Sequence, residues 1–311
     1  MNPKQKSALQ KLGPIFALVI MCAALAMMSP AFRTVGNVLD VVRQVSINAI
    51  ISFGMTLTIL LGGIDLSVGS VLAVSSVLTA LLMKDGHGAI LAMAVGLLAG
   101  ATMGSVNGLI IAKGKVAPFI ATLGSMTLLR GVALVLSKGS PMSHFTSDFF
   151  SLLGGGYLLH LIPLPVVWML IIFSLFWFAL TKTVFGRHVY ATGGSAEAAR
   201  LSGVKTDRVQ ILAYTISGAM AAVAGAILTS RLDSAQPTAG AGYELDAITA
   251  VVLGGTRLSG GRGWIVGTLV GALLIGVLNN GLNLIGVSAF YQQIAKGSVI
   301  LMAVLLDRAR K

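Results

Sequence analysis

The 311 residues carry 10% charged side chains against 56% hydrophobic ones, with a mean hydropathy of +0.90. A soluble domain carries about 25% charged residues, so a water-soluble globule is excluded. A net charge of +12 invites a nucleic-acid reading, which the placement of Lys and Arg along the chain removes.

An apolar run of about 20 residues crosses a bilayer as a helix, and in lipid every backbone polar group must be bonded within its own element. The chain is built of such runs, rich in Leu, Ala, Val and Gly, and lacks the alternating segments of a membrane barrel. In chain order the predicted spans are Leu12–Phe32, Leu39–Leu60, Ser67–Met83, Ala89–Ala112, Val116–Leu136, Leu161–Thr181, Val209–Thr229, Glu244–Val252, Trp264–Leu282 and Phe290–Leu306. The eighth is short and reads as a half-helix. The fold class is an all-α integral membrane protein of about ten transmembrane helices, in a single domain over 1–311.

Lys4, Lys6 and Lys11 precede the first run as in a signal peptide, and Ala24-Leu25-Ala26 resembles a cleavage box. The run exceeds the 7–15 residues of a signal core, so the first span is read as retained. Counted from a cytosolic N-terminus, fifteen Lys and Arg fall on inner segments and four (Arg33, Lys84, Lys138, Arg231) on outer ones. That is the positive-inside bias. It places both termini in the cytosol and leaves no basicity that calls for nucleic acid. The lone Cys22 permits no intrachain disulfide and no cysteine metal site.

Gly96, Gly100, Gly104 and Gly108 recur every four residues in the fourth span, as do Gly263, Gly267 and Gly271 in the ninth. Such spacing lets membrane helices approach closely. Leu61-Gly62-Gly63-Ile64-Asp65-Leu66-Ser67-Val68-Gly69 is echoed by Leu253-Gly254-Gly255-Thr256-Arg257-Leu258-Ser259-Gly260-Gly261. Gly62, Gly63, Gly254 and Gly255 suit sharp turns, and Asp65 or Ser67 suits a helix cap. The echo is either a repeated half of the fold, common among transporters, or shared turn chemistry.

The second span sets Asp40, Gln44, Asn48, Ser52 and Thr56 four residues apart, a row that winds slowly along one side of a helix. Polar groups in lipid face a bundle interior or a water-filled cavity. Gln44, Asn48 and Ser52 are therefore candidates to line a pathway for an uncharged polyhydroxylated solute, or members of an interhelical hydrogen-bond seam. Asn279, Asn280 and Asn283 form a second such cluster. Arg130 and Lys296 read as snorkelling charges. The four histidines share no metal-ligand spacing, no nucleophile stands with a base, and there is no phosphate-binding GxxxxGK[ST] loop. Neither metal, cofactor nor catalysis is expected in this chain.

The one long, strongly charged connection, 182–208, lies on the predicted cytosolic side. Within it Ser195 is a candidate N-cap, Glu197 suits a first turn and Gly203 a C-terminal stop. Several stretches then carry a resemblance: Gly63-Ile64-Asp65-Leu66-Ser67-Val68-Gly69-Ser70, Glu197-Ala198-Ala199-Arg200-Leu201-Ser202-Gly203, Ser234-Ala235-Gln236-Pro237-Thr238-Ala239-Gly240 and Leu278-Asn279-Asn280-Gly281-Leu282-Asn283-Leu284. From about Asn37 to Asp307 the chain resembles the permease subunits of ribose-type sugar ABC importers, in the branched-chain amino acid/ribose permease family.

The resemblance implies a fold similar to the vitamin B12 importer permease and a bacterial inner-membrane location. It implies a second permease copy, a periplasmic sugar-binding protein, and a cytosolic ATPase with paired nucleotide-binding domains that holds the ATP and Mg. It makes Glu197, Ala198, Ala199, Arg200 and Gly203 an ATPase-coupling helix. The implied cargo is ribose or a similar pentose, with allose, xylose, arabinose or the autoinducer-2 furanose as alternatives within the family. A stand-alone secondary transporter would need an ionisable relay near the midplane, whereas Asp40, Asp65, Glu244 and Asp246 read as span-end acids.

Overall fold

The computed structural model describes residues 3–309. Arg310 and Lys311, and the side chains of Lys4, Lys6, Lys11 and Arg308, all counted in the charge asymmetry, lie outside the described part. Every predicted span is helical: α1 Pro3–Met28, α2 Val35–Leu60, α3 Val68–Lys84, α4 Ala89–Ala112 and α5 Pro118–Leu136. The chain then runs through β1 Met142–Ser143, α6 Asp148–Gly155, β2 Tyr157–Leu158 and β3 Ile162–Pro163. The chain continues with α7 Leu164–Lys182, α8 Val184–Gly194, α9 Ala196–Leu201, α10 Thr206–Leu232, β4 Ser234–Ala235, α11 Tyr243–Leu253, α12 Ile265–Leu284 and α13 Ala289–Ala309. Among the described residues six helices, α2, α4, α5, α7, α10 and α12, are long and apolar enough to cross a membrane. Leu12–Met28 and Val68–Lys84 are shorter apolar helices.

The bundle is built around α2. From Val45 to Leu60 nearly every one of its residues is buried, which requires neighbours on all sides. They are α7, α10, α11 and α12. The glycine row of α4 packs on α10: a Cβ on Gly104 would collide with the Tyr214 carbonyl, one on Gly100 would lie 2.6 Å from Gly218 O, and one on Gly108 2.8 Å from Ile211 Cα. Backbones meet there because no side chain holds them apart. The row on α12 does the same to α11, with Gly267 against Gly254 and Gly271 against Ala250.

At one end of the bundle β1 pairs antiparallel with β4, Met142 facing Ala235. This ties the segment after α5 to the end of α10. The chain then turns at Asp233, in the left-handed region at φ 47°, and re-enters the bundle. Arg130 Nη1 donates to the Pro237 and Ala239 carbonyls, both at 2.8 Å, and Gly240 lies against Gly69 of α3. The half-helix expected at 244–252 is α11, which starts inside the bundle and is 11 residues long, about 16 Å at 1.5 Å per residue.

Candidate functional site

The end of the bundle opposite β1 and β4 is closed by the charged connection. It differs from the expected loop, because most of it is helical: α8 precedes α9. The Thr183 hydroxyl caps α8 by accepting from Gly186 N–H. The sequence of α8, VFGRHVYATGG, has weak helix propensity, and burial of Gly186, Val189 and Thr192 against the bundle holds it. In α9 the Ser195 hydroxyl accepts from Ala198 N–H at 3.2 Å. Gly203 ends the turn at φ +86°, its N–H donating to Arg200 O at 3.0 Å while Val204 N–H donates to Ala199 O at 3.0 Å. This is the left-handed stop that favours glycine.

Ala199 faces inward, whereas Leu201 is 80% exposed. Beside α9 runs a groove of about 830 Å³ lined by Lys113, Lys115, Ala196, Glu197, Arg200, Gly203 and residues 204–208. Lys115 and Asp207 pair across it at 3.3 Å, joining the α4–α5 connection to the start of α10. An exposed leucine beside an excess of basic side chains suits a partner surface that is apolar with an acidic rim.

Behind α9 the two echoed turns meet. Gly261 N–H donates to Leu60 O at 2.8 Å. Gly193, in the last turn of α8, lies so close that a Cβ would collide with the Leu60 carbonyl. Tyr190 of α8 donates to Gly263 O at 3.0 Å. The two turns are not copies in detail: the first has one left-handed glycine, Gly62 at φ +78°, and the second has three, Gly255, Gly260 and Gly261 at φ +91°, +83° and +70°. Gly63 and Gly254 are tight for another reason, because a Cβ would strike Tyr214 Oη and Gly267 respectively.

Asp65, 1% exposed, does not cap α3. Its Oδ1 accepts from Ser67 N–H at 3.1 Å and from Ser67 Oγ at 2.6 Å, and its Oδ2 accepts from Ser217 Oγ at 2.8 Å. Asn107 donates to Ser67 Oγ at 2.9 Å and accepts from Ser125 Oγ. One buried network thus ties the α2–α3 turn to α4, α5 and α10. Ser67 stands at the N-cap position of α3, and its side chain makes no cap bond.

The pathway candidates divide. Gln44, Asn48 and Asn279 come together around a cavity of about 30 Å³ with Tyr243, Asp246, Ala272 and Gly276. Asn48 Oδ1 and Asn279 Oδ1 are buried there without a protein partner. Below them the polar row becomes a seam: Ser52 Oγ donates to Asn48 O at 2.7 Å, and Thr56 and Thr268 hydroxyls bond at 2.8 Å. Asn280 is elsewhere, exchanging bonds with Asn37 at 2.7 and 3.2 Å. Asn283 accepts from Gln292 at 2.7 Å.

The pairing of Lys296 with Asp246, which lines the cavity, escaped the sequence reading. Lys296, expected to snorkel, pairs with Asp246 at 3.1 Å, and Arg130 is held by two carbonyls instead. Asp246 was expected at a span end. It lies inside because segment 236–242 carries the start of α11 into the bundle, and apolar periodicity does not register such a re-entry. Only the run of small residues and proline at Ala235-Gln236-Pro237-Thr238-Ala239-Gly240 signals it. Among the described residues no group of His, Cys, Asp and Glu could hold a metal ion.

The family described as the branched-chain amino acid transport system permease component matches residues 37–306. The chain is 54% identical to the ribose import permease protein of Bacillus subtilis over 97% of its length and 94% of that protein's. Identity to the ribose import permease protein of Escherichia coli K12 is 49%, over 98% of this chain and 96% of that one. The D-allose transport system permease protein of the same strain is 38% identical, over 96% of this chain and 91% of its own. No solved structure matches the chain. With a match that spans most of its length and relatives this similar from end to end, the chain belongs to the branched-chain amino acid transport system permease component family.

Proposed function

We propose that this chain is the membrane-spanning subunit of an ATP-driven importer that carries ribose into the cell. One observation carries the reading: 54% identity to a ribose import permease over 97% of the chain, against 38% to a permease for D-allose. The chain is non-catalytic. ATP and Mg belong to a cytosolic partner with paired nucleotide-binding domains, and a periplasmic binding protein delivers the sugar. Two copies assemble in the bacterial inner membrane, each with about ten transmembrane helices in a B12-importer-like arrangement and with both termini cytosolic.

In this reading α9 seats on the ATPase through Glu197, Ala198, Ala199, Arg200 and the turn at Gly203, with Leu201 as its apolar anchor. Movement of α9 passes to α8, and from Gly193 and Tyr190 to the junction of the two turns at Leu60, Gly261 and Gly263. Those turns end α2 and α11 and begin α3 and α12, so the helices bearing Gln44, Asn48, Ser52 and Asn279 shift together. The 30 Å³ cavity holds about one water, and a pathway along these residues opens only when they separate. Asn280 and Asn283 belong to the same wall further along α12.

Gly203 provides the test. A Cβ there meets nothing within 4 Å, so a substitution acts through the left-handed backbone rather than through a clash. Gly203→Val strains the turn by about 1–2 kcal/mol, while Gly203→Asn is tolerated there. In cells that depend on this chain, uptake of radiolabelled ribose and partner ATP hydrolysis should fall with Gly203→Val and persist with Gly203→Asn, at equal membrane levels. Normal uptake by Gly203→Val would sink the docking assignment, and failure of the unaltered chain to restore ribose uptake would sink the substrate.

A further inference from the structure

The α2–α12 cavity is not the largest opening on the bundle. Between α3, α5 and the start of α11 lies a cavity of about 470 Å³, walled by Ser70, Met126, Thr127, Arg130, Gly131, Leu134, Ala241 and Glu244. That volume falls among small-molecule sites of about 300–1,000 Å³. We propose that this cavity is where a neutral, polyhydroxylated solute of pentose size touches the permease, with Arg130 and Glu244 as its polar contacts. The proposal rests on the importer reading and adds a site to it.

Both charged groups are built in. Arg130 is anchored by Nη1 on the Pro237 and Ala239 carbonyls, and among the described residues its other N–H groups have no protein acceptor. Glu244 Oε1 accepts from Gly242 N–H at 3.1 Å. Its Oε2 lies where only a glycine leaves room, because a Cβ on Gly69 would stand 2.6 Å from it. The described ion pairs are Arg43 with Asp40, Lys115 with Asp207 and Lys296 with Asp246, so Arg130 and Glu244 share the cavity without neutralising each other by contact.

A guanidinium only donates and a carboxylate only accepts. A sugar hydroxyl does both and can answer each. A solute of either net charge meets one like and one unlike charge there, so the pair favours neither sign. The hydroxyls of Ser70 and Thr127 donate to Met126 O at 2.7 Å and Leu123 O at 3.2 Å, which leaves their oxygens as acceptors. Met126 and Leu134 offer apolar wall to the sugar's C–H faces. The first turn of α11 separates the two cavities, with Glu244 on this one and Tyr243 and Asp246 on the other.

Gly131 makes the test clean. A Cβ there meets nothing within 4 Å, and it lies mid-helix, where leucine is the better helix former. Gly131→Leu therefore fills the cavity without straining the fold. The measurement is uptake of radiolabelled D-ribose by cells lacking their own ribose permease and expressing the complete complex. The unaltered chain, Gly131→Leu and Glu244→Gln are compared, and complex assembly and ATP hydrolysis are read in parallel. The expected result is uptake reduced about tenfold or more in both variants, with assembly and hydrolysis kept, and with the Glu244→Gln loss appearing chiefly in KM. If Gly131→Leu fails to accumulate, Glu244→Gln, which keeps the shape of the side chain, decides. Wild-type uptake by the accumulated variants overturns the site and leaves the importer reading intact. Absence of ribose uptake by the unaltered chain overturns that reading, and the site with it.

Discussion

The α4–α10 seam and the α2–α11–α12 wedge are both helix contacts made close by small residues, yet they differ in what they leave unsatisfied. In the seam, Gly100, Gly104 and Gly108 press on the backbone of α10 at Ile211, Tyr214 and Gly218, and the unpartnered groups beside it are the neutral hydroxyls of Ser75 and Tyr214. In the wedge, the glycine contacts of α12 on α11 adjoin two buried amide oxygens without partners, an ion pair and a small cavity. Backbone packed on backbone leaves the seam little room to rearrange. A wedge with unmet hydrogen-bond capacity has something to gain by opening to water or solute. In the proposed cycle the seam is the frame and the wedge, with its ion pair and cavity, is the part that moves.

Gly104→Leu should break that contrast most severely. Its side chain would have to enter the Tyr214 backbone, at a cost of more than about 3 kcal/mol, read as loss of a monodisperse folded peak in detergent. A well-folded Gly104→Leu protein would show that the seam is not rigid. The wedge should respond next. Asp246→Asn or Lys296→Met alone leaves one buried charge unmatched and should lower stability by about 2–3 kcal/mol, while Asp246→Leu with Lys296→Met should recover most of it. Thermal denaturation of the singles and the double, taken as a cycle, checks this; additive losses would deny the coupling. The smallest stability effect is expected at Asn48. Asn48→Leu removes an unpartnered buried oxygen and should change stability by about 1 kcal/mol or less, with no loss, while ribose uptake falls. A clear drop in melting temperature would mean that Asn48 is structural.

Much of the frame was legible because its signals are local. Hydropathy located the long apolar helices, as the match between predicted Ala89–Ala112 and α4 illustrates, and glycine spacing picked out the rows that pack. Ser195 and Gly203 were readable as stops of α9, since caps depend on a few adjacent residues. Helix α8 was not, because burial against Leu60 and Gly261 stabilises it and its own propensities do not. Gln44, Asn48 and Asn279 were legible as polar residues in apolar spans, but nothing local distinguishes Asn279 at the cavity from Asn280, one residue on and bonded to Asn37. At about 100° per residue, neighbours on a helix face different partners, and only the packing says which.

The sequence by itself determined that this chain lives among helices in a membrane, where its breaks fall, which connection is charged, and, through long stretches of matching residues, the family. These follow from the composition of single segments, whose free energy in lipid is nearly a sum over their own residues. The tertiary structure alone decided that the two echoed turns meet beneath α8. It decided that Asp65 is the centre of a buried network rather than a cap, that Lys296 finds Asp246, and that Arg130 holds the re-entering chain beside a cavity it shares with Glu244. Each joins residues tens to hundreds of positions apart, and the cost of burying an unmatched polar group can be met only once the whole bundle has brought its partner within reach.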